Sequence, residues 1–210
     1  MNIDPSLQSK DVNYHLLTNL VVPRPIAWVS TINHEGVINL APFSFFNAVG
    51  ANPLYLMISV GASADGKLKD TARNINAGKD FVVNLVTEEL LNAMNISAAD
   101  FPQEQSEVEP AQLHTAPSVF IKSPRIVEAH ASLECKMHSA QSLGENTLFI
   151  GEVVMFHVDD HYIDQNLKIK NFAPIGRMGS PSVYCRTEDR FEFARTSYAE
   201  WLSINQANSY

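Results

Sequence analysis

Short apolar segments rich in β-branched and aromatic residues recur along the chain and limit the folds open to it. They lie at residues 25–32, 37–40, 54–60, 81–86, 132–138 and 147–158. The helical segments between them are short, so the regular alternation of strands with long amphipathic helices that a doubly wound sheet requires is missing. The pattern predicts a mainly β fold, a barrel or split barrel with a few short helices.

Turn and capping residues indicate where several of these elements begin and end. Residues 33–36 (NHEG) separate the first two strands, and Gly36 suits a positive φ, so a hairpin is predicted. Pro42 is expected to end the second strand or to place a bulge there. Asp70 is predicted to cap a short helix that Gly78 closes.

The length of 210 residues suits one domain with appended segments. Apolar residues make up 45% of the chain and charged residues 18%, which is enough to fill a sizeable core. We expect an N-terminal arm over residues 1–20, a barrel domain over residues 21–185 and a C-terminal extension with a short helix over residues 186–210. Residues 100–118, rich in proline and acids, are predicted to form a long surface excursion.

Charge and cysteine usage narrow the partners and the compartment. The formal net charge of -8 argues against nucleic acid as the main partner. The first residues have no basic segment followed by an apolar one, and no stretch reaches the ~18 apolar residues of a membrane span. Cys135 and Cys185 lie far apart, which suits buried thiols in the cytoplasm. Cys135 and Trp28 are predicted to face the core.

Residues 39–47 (NLAPFSFFN) form an unusual segment, in which Pro42 interrupts a strand and aromatic residues flank Ser44. One interpretation is an edge strand that supplies aromatic core residues. The other is a strand whose exposed backbone N–H and C=O groups meet a flat heteroaromatic ligand, as a flavin ring requires.

Residues 67–74 (KLKDTARN) place three cations beside a hydroxyl and a predicted helix N-terminus. Free N–H groups, a favourable dipole and nearby cations suit a phosphate, although a solvated amphipathic helix shows the same pattern more often. A ring site and a phosphate site together in one chain favour a nucleotide-like cofactor.

Other catalytic and cofactor signatures are missing from the sequence. There is no GxGxxG, GxxxxGK[ST], GxSxG or HExxH motif. His157 and His161 are four residues apart, but they fall at a strand end and a turn. Ordinary surface histidines are therefore favoured there over a metal site, and no metal is predicted.

Six ordered blocks resemble the flavin-reductase-like, FMN-binding split-barrel family, and its flavoredoxin-like branch in particular, and the resemblance covers roughly residues 14–185. The blocks are PRPIAWVST-x(4)-G-x(2)-NLAPFSFFN (23–47), KDTARNI (69–75), FVVNLV (81–86), SPRIVEAHASLECKM (123–137), FIGEVVMFHVDD (149–160) and GRMGSPSVY (176–184). The resemblance implies an FMN-binding split β-barrel with Greek-key-like topology. It also implies a homodimer with two FMN sites near the subunit interface.

The resemblance further implies which residues hold FMN. For the isoalloxazine and ribityl parts they are Ser30, Thr31, Asn39, Leu40, Ala41, Pro42 and Ser44, joined by Asn47. For the phosphate they are Lys69, Thr71 and Asn74, while Arg177 and Tyr184 would close the site from the C-terminal side. No acid, base or nucleophile is assigned, because hydride transfer to a flavin requires none from the protein.

Two positions depart from the family pattern. Flavin reductases that use NAD(P)H often carry Gly-Asp-His before the Leu-Phe-x-Gly strand, and this chain has Asn146 in place of the histidine. That weakens the hypothesis of a dedicated nicotinamide-dependent flavin reductase and leaves FMN binding untouched. Ser180 replaces a second glycine, which is a milder change.

Three functions follow from the resemblance. The first is an oxidoreductase that passes hydride or electrons through bound FMN. The second is an NAD(P)H-dependent reductase that uses FMN as a substrate and releases it to a partner oxygenase. The third is a non-enzymatic electron carrier or sensor that serves a redox partner protein. A pyridoxamine-phosphate oxidase-like protein shares the barrel and FMN, but residues 39–47 fit it poorly.

Overall fold

A computed structural model describes residues 1–63, 65–179 and 181–207, without the side chains of residues 204–207. Ser180 and residues 208–210 of the predicted extension lie outside the described residues. The α-helices in the described parts are α1 (Lys10–Leu20), α2 (Asp70–Gly78), α3 (Leu91–Ile96) and α4 (Tyr198–Ala207). Single 3₁₀ turns occupy Pro5–Leu7, Glu88–Leu90 and Asp160–Tyr162.

Antiparallel strands make up the rest of the regular structure. In chain order they are β1 (Ala27–Ile32), β2 (Ile38–Phe43), β3 (Phe46–Ala51), β4 (Leu54–Gly61), β5 (Asp80–Asn84), β6 (Thr115–Ala116), β7 (Arg125–Ile126), β8 (Ala131–Leu143), β9 (Asn146–Val158), β10 (Gly176–Arg177) and β11 (Tyr184–Cys185). Seven of them form one sheet in the order β2-β1-β5-β8-β9-β4-β3. The remaining four form the short pairs β6–β7 and β10–β11. The predicted mainly β fold with a few short helices is confirmed.

The segment 39–47 closes the sheet on itself. Both interpretations of it assume one strand, which is wrong, because β2 ends at Phe43 and β3 begins at Phe46. The edge-strand interpretation is right about the aromatic residues, since Phe43 and Phe46 pack against buried core residues. Strands β2 and β3 stand at opposite ends of the strand order, yet only two residues join them. A sheet whose two edge strands are joined this closely has to curl, which gives a barrel that is split between β2 and β3.

The hairpin of β1 and β2 forms as predicted, with Gly36 at φ 87°. Pro42, however, neither ends β2 nor creates a bulge, since it lies in register opposite Trp28. A proline lacks the N–H that a second neighbouring strand would need. It is tolerated because β2 is an edge strand with β1 on one side alone.

Helix α2 begins one residue earlier than the capping pattern predicts. Lys69 is its N-cap residue and makes no side-chain capping bond, while Asp70 lies inside the first turn. The Asp70 carboxylate accepts a hydrogen bond from Arg73 instead of from a backbone N–H. At the other end Lys79, rather than Gly78, takes the left-handed conformation, with φ 64°. Both predicted caps are therefore wrong.

Side chains from the two faces of β1 enter two different apolar clusters. Ala27 and Val29 pack in an inner cluster with residues of β4, β5, β8, β9 and α2. Trp28 points the other way, into an outer cluster that includes Met94 of α3, and its Nε1–H donates to Ser97 Oγ over 2.8 Å. Trp28 is fully buried, as predicted.

The excursion over residues 100–118 is more than a surface loop. Ala111 and Leu113 are buried in the outer cluster, where they pack with Trp28 and Leu40. The prediction of a surface excursion is wrong for this part, because the outer face of β1 and β2 is apolar and has to be covered. The excursion therefore takes part in the core and fixes the surroundings of β2.

Cys135 faces the inner cluster, as its alternation with Leu133 and Met137 predicts. Burial raises the pKa of its thiol far above the usual range, so this cysteine is an inert core residue. None of the helices in the described parts of the chain is long and apolar enough to cross a membrane.

Candidate functional site

Two cavities lie on either side of the C-terminal half of β2. The larger, about 600 Å³, is bordered by the first turn of α2 and by residues 97–107, and we call it the α2 cavity. The smaller, about 280 Å³, is bordered by α1 and by β10 and β11, and we call it the α1 cavity. Both are lined by Pro42, Phe43 and Ala98, so the two spaces share a wall.

Two side-chain hydrogen bonds hold the N-terminal half of α2 against the barrel. Asn39 Nδ2 on β2 donates to Thr71 Oγ1 over 2.9 Å. Asn74 Nδ2 donates to Thr31 Oγ1 on β1 over 3.1 Å. The first turn of the helix, with its unpaired N–H groups and the positive end of its dipole, is thereby fixed at the α2 cavity.

The three cations of residues 67–74 differ in their partners. Lys67 Nζ lies 2.7 Å from Asp65 Oδ2. Arg73 pairs with Asp70 and donates to the Leu68 carbonyl. Lys69 lines the cavity next to the helix N-terminus and has no carboxylate partner among the described residues.

Glu107 brings the excursion onto β2. Its side chain is 6% exposed, and its Oε2 accepts a hydrogen bond from the Leu40 N–H over 2.8 Å. Burial raises the pKa of this carboxyl, and the negative charge of Asp70 acts in the same direction. Glu107 also lines the α2 cavity, so the cavity wall carries an acid whose charged form is disfavoured.

The bond from the Leu40 N–H to Glu107 limits the backbone groups with which β2 can bind a flat ligand. Successive residues of a strand direct their N–H and C=O groups to opposite edges, so Pro42 faces the same way as Leu40, away from β1. Glu107 occupies the Leu40 N–H and Pro42 has none. The prediction of exposed N–H groups along this stretch is therefore wrong at both positions. Leu40 is fully buried, so the Pro42 carbonyl is the outward acceptor that remains at the cavity.

The α1 cavity has a buried arginine in its wall. Arg24, 6% exposed, donates to the carbonyls of Thr18, Val21 and Met178 and to Ser44 Oγ. Burial lowers the pKa of its guanidinium, which nevertheless stays charged at neutral pH. Arg24 thus joins α1, the end of β2 and the segment after β10.

A second arginine faces the same space. Arg177 is in register with Tyr184 across β10 and β11, and its guanidinium carbon lies 4.7 Å from the centroid of that ring. Its Nη2 donates to the Pro181 carbonyl. Its backbone N–H and C=O both bond to Arg24, so the two arginines are neighbours.

The structure gathers most of the predicted site residues around these two cavities. The α2 cavity is lined by Asn39, Ala41, Pro42, Lys69 and Thr71, and the α1 cavity by Pro42, Ser44, Arg177 and Tyr184. Asn74 lies in a small crevice that also touches Asn39 and Glu107.

Besides Asn74, four predicted residues lie outside both linings. Thr31 and Leu40 are buried behind the β2 edge. Ser30 is also buried, and its Oγ donates to the Pro124 carbonyl over 2.6 Å, which is a structural contact. Asn47 is exposed on β3, where its side chain accepts from the Ala48 N–H.

Sequence reasoning missed Arg24 and Glu107 as site residues. Arg24 had a usable signal, because a cation between two prolines directly before an apolar strand is hard to place on a solvated surface. Glu107 had none, because it is one of several acids in the excursion and its partner Leu40 is 67 residues away.

Comparison with known proteins identifies the family. Residues 19–188 match the flavin reductase like domain. The chain is 36% identical to nitrilotriacetate monooxygenase component B from Bacillus cereus, with a TM-score of 0.86 over 92% of this chain and 98% of that one. It is 34% identical to the 2-nitrobenzoate 2-nitroreductase NbaA of Pseudomonas fluorescens, with a TM-score of 0.85 over 94% and 98% of the two chains.

A more distant likeness concerns the fold alone. A protein of Shewanella frigidimarina with a split-barrel domain is 20% identical, with a TM-score of 0.75 over 94% of this chain and 99% of that one. The fold and the site thus define a split-barrel protein of the flavin-binding class. The chain belongs to the flavin reductase-like family, as its sequence blocks predict.

Proposed function

We propose that the protein is an FMN-dependent oxidoreductase that passes hydride or electrons through bound flavin. One observation carries the proposal. A single cavity of about 600 Å³ brings together the N-terminus of α2, the outward edge of β2 and Lys69, which has no carboxylate partner in the described parts of the chain. A flavin mononucleotide needs these features in one place, namely an anion site and a polar edge beside apolar walls.

The residues at each end of the α2 cavity fit the two ends of this cofactor. Lys69, the Thr71 hydroxyl and the N–H groups of the first turn of α2 would hold the phosphate. The stretch from Ala41 to Phe43 would form the apolar wall for the ring, with the Pro42 carbonyl as an acceptor for a ring N–H.

The flavin, when bound, supplies the hydride and electron chemistry. The chain's residues position it and limit the access of water. Glu107 holds the excursion against β2 by its bond to the Leu40 N–H. Phe43 and Phe101 line the α2 cavity and give it apolar walls. Lys69 would compensate the charge of the phosphate, which the carboxylates in the cavity wall, Asp65, Asp70 and Asp100, repel.

A second candidate is a reductase that releases reduced FMN to a partner oxygenase. The likeness to a monooxygenase component B supports it. Asn146 counts against it, because its Nδ2 donates to Ser59 Oγ over 2.9 Å and an amide cannot carry the positive charge of a histidine. NADH or NADPH as donor, a homodimer, a redox partner protein and a cytoplasmic location belong to the same proposal.

The test is an absorbance spectrum of the purified protein with FMN under anaerobic conditions, before and after NADH or NADPH. Oxidised flavin bands near ~370 and ~450 nm that stay with the protein through gel filtration support the bound cofactor. Bleaching by either nicotinamide identifies the donor. Bands that persist until dithionite is added favour the carrier or sensor. A protein that stays colourless with added FMN contradicts the proposal.

A further inference from the structure

The α1 cavity carries two positive charges and no negative one among its described lining residues. Arg24 and Arg177 both border it, and the rest of the lining is neutral. All described acceptors of Arg24 are carbonyl groups and a serine hydroxyl, and that of Arg177 is the Pro181 carbonyl. Two adjacent cations in a concave, partly desolvated space attract an anion, because the field is screened less there than on an open surface.

The two arginines contribute to anion binding in different ways. Arg24 is buried and its guanidinium is committed to the main chain, so it supplies charge. Arg177 is half-buried, and one described hydrogen bond leaves other N–H groups of its fork free to meet a ligand. The Tyr184 ring packs against that fork, with the guanidinium carbon 4.7 Å from the ring centroid, and restricts its movement. A planar fork held in one orientation recognises a carboxylate through two parallel hydrogen bonds.

The other lining residues indicate the chemistry and size of the uncharged part of the ligand. Tyr14, Ile26, Phe43 and Met94 give the cavity apolar and aromatic surfaces. A space of about 280 Å³ admits a small ring compound, whereas a dinucleotide needs several times that volume.

We propose that the α1 cavity binds a small planar organic carboxylate, the substrate class of the oxidoreductase, through the guanidinium of Arg177. The site lies across the shared wall of Pro42, Phe43 and Ala98 from the α2 cavity. A ligand there would lie beside the ring end of the flavin position. This inference rests on the proposed function for its purpose, but the binding site can be tested without it.

Isothermal titration calorimetry of the full-length protein, with and without FMN, tests the site. Benzoate serves as the probe and benzamide as its neutral counterpart of the same shape. We expect benzoate to bind at least about tenfold more tightly than benzamide, and Arg177→Gln to remove most of that difference, since a hydrogen-bonded ion pair is lost while the charge of Arg24 remains. Arg177→Lys, which keeps the charge and the fold but lacks the fork, should bind benzoate with intermediate affinity.

Arg195→Gln is the matched control, because it removes one positive charge from the C-terminal segment and lines neither cavity. It should bind benzoate like the wild type, and excess inorganic phosphate should not displace benzoate. Equal binding of benzoate and benzamide, equal loss in Arg195→Gln, or displacement by phosphate would overturn the proposal. So would loss of FMN binding in both Arg177 variants, since Arg177 would then serve the cofactor. Benzoate binding by a protein that does not bind FMN would support the site and refute the proposed function.

Discussion

Lys67 and Lys69 stand two residues apart at the same cavity and differ in their partners. Lys67 is neutralised by Asp65, whereas Lys69 has no carboxylate partner among the described residues. We expect Lys69→Gln to weaken FMN binding about tenfold or more, because a charge-assisted phosphate contact is lost. The matched variant Lys67→Gln should change the affinity less than about threefold. Quenching of FMN fluorescence on titration measures both, and equal losses would assign the phosphate elsewhere.

Burial of Glu107 makes the free energy of unfolding decrease as the pH rises. Burial raises the pKa of its carboxyl in the folded protein above the usual 4.5. The folded protein therefore retains a proton that the unfolded chain has released. The contribution of this group to stability is fully present below its usual pKa and is lost as the pH rises through the raised value.

In Glu107→Gln the Leu40 N–H keeps a neutral acceptor of the same shape. We expect its free energy of unfolding to lose this pH dependence and to stay within about 1 kcal/mol of the wild type near neutral pH. Urea unfolding at a series of pH values from 4.5 upward checks this. Glu104→Gln, at an exposed position of the same excursion, should leave the pH profile unchanged. A Glu107→Gln profile parallel to that of the wild type would contradict the assignment.

Strands β5, β8 and β9 pack so closely at one point that only a glycine fits. A Cβ on Gly151 of β9 would lie 2.5 Å from Phe81 Cζ and 3.2 Å from the Cys135 Cβ. We expect Gly151→Ala to lower the free energy of unfolding by about 1–3 kcal/mol, because the inner cluster has to shift. Gly61→Ala in β4 is the control, since its Cβ would meet Asn146 Oδ1 at an ordinary 3.7 Å. Urea unfolding of both variants should separate them, and equal losses would argue against close packing at Gly151.

The elements differ in how far the sequence predicts them. Strands such as β1, β5 and β9 are predictable because their β-branched and aromatic runs are local signals. The division of residues 39–47 into β2 and β3 is not, because it depends on closure of the barrel. Burial of part of the excursion is not predictable either. It depends on the apolar outer face of β1 and on the bond of Glu107 to Leu40, which is distant in sequence. The ring and phosphate segments are recognisable as local patterns, whereas the pairing of Arg24 with Arg177 and the shared wall between the cavities arise only from the tertiary fold.

At the scale of the whole molecule, the C-terminal segment has apolar side chains without cover from the barrel. Arg186 pairs with Glu88, and the Thr187 hydroxyl donates to the Pro174 carbonyl over 2.7 Å, which anchors the start of the segment. Beyond these anchors Phe191 and Phe193 are 88% and 89% exposed. The family domain ends at residue 188, so the shared barrel fold does not account for these residues.

Exposed phenylalanines in a segment anchored at its start are typical of an interface. In the proposed homodimer, the second copy of the chain would cover them. We expect the double variant Phe191→Ser and Phe193→Ser to raise the dimer dissociation constant about tenfold or more, since burial of two aromatic side chains is lost. Leu167→Ser, at another exposed apolar position outside this segment, should leave the constant unchanged. Sedimentation equilibrium over a range of concentrations measures all three proteins. If the wild type is a dimer and both variants have the same dissociation constant as the wild type, the interface lies on the barrel itself. The C-terminal segment would then need a different partner to cover its aromatic residues.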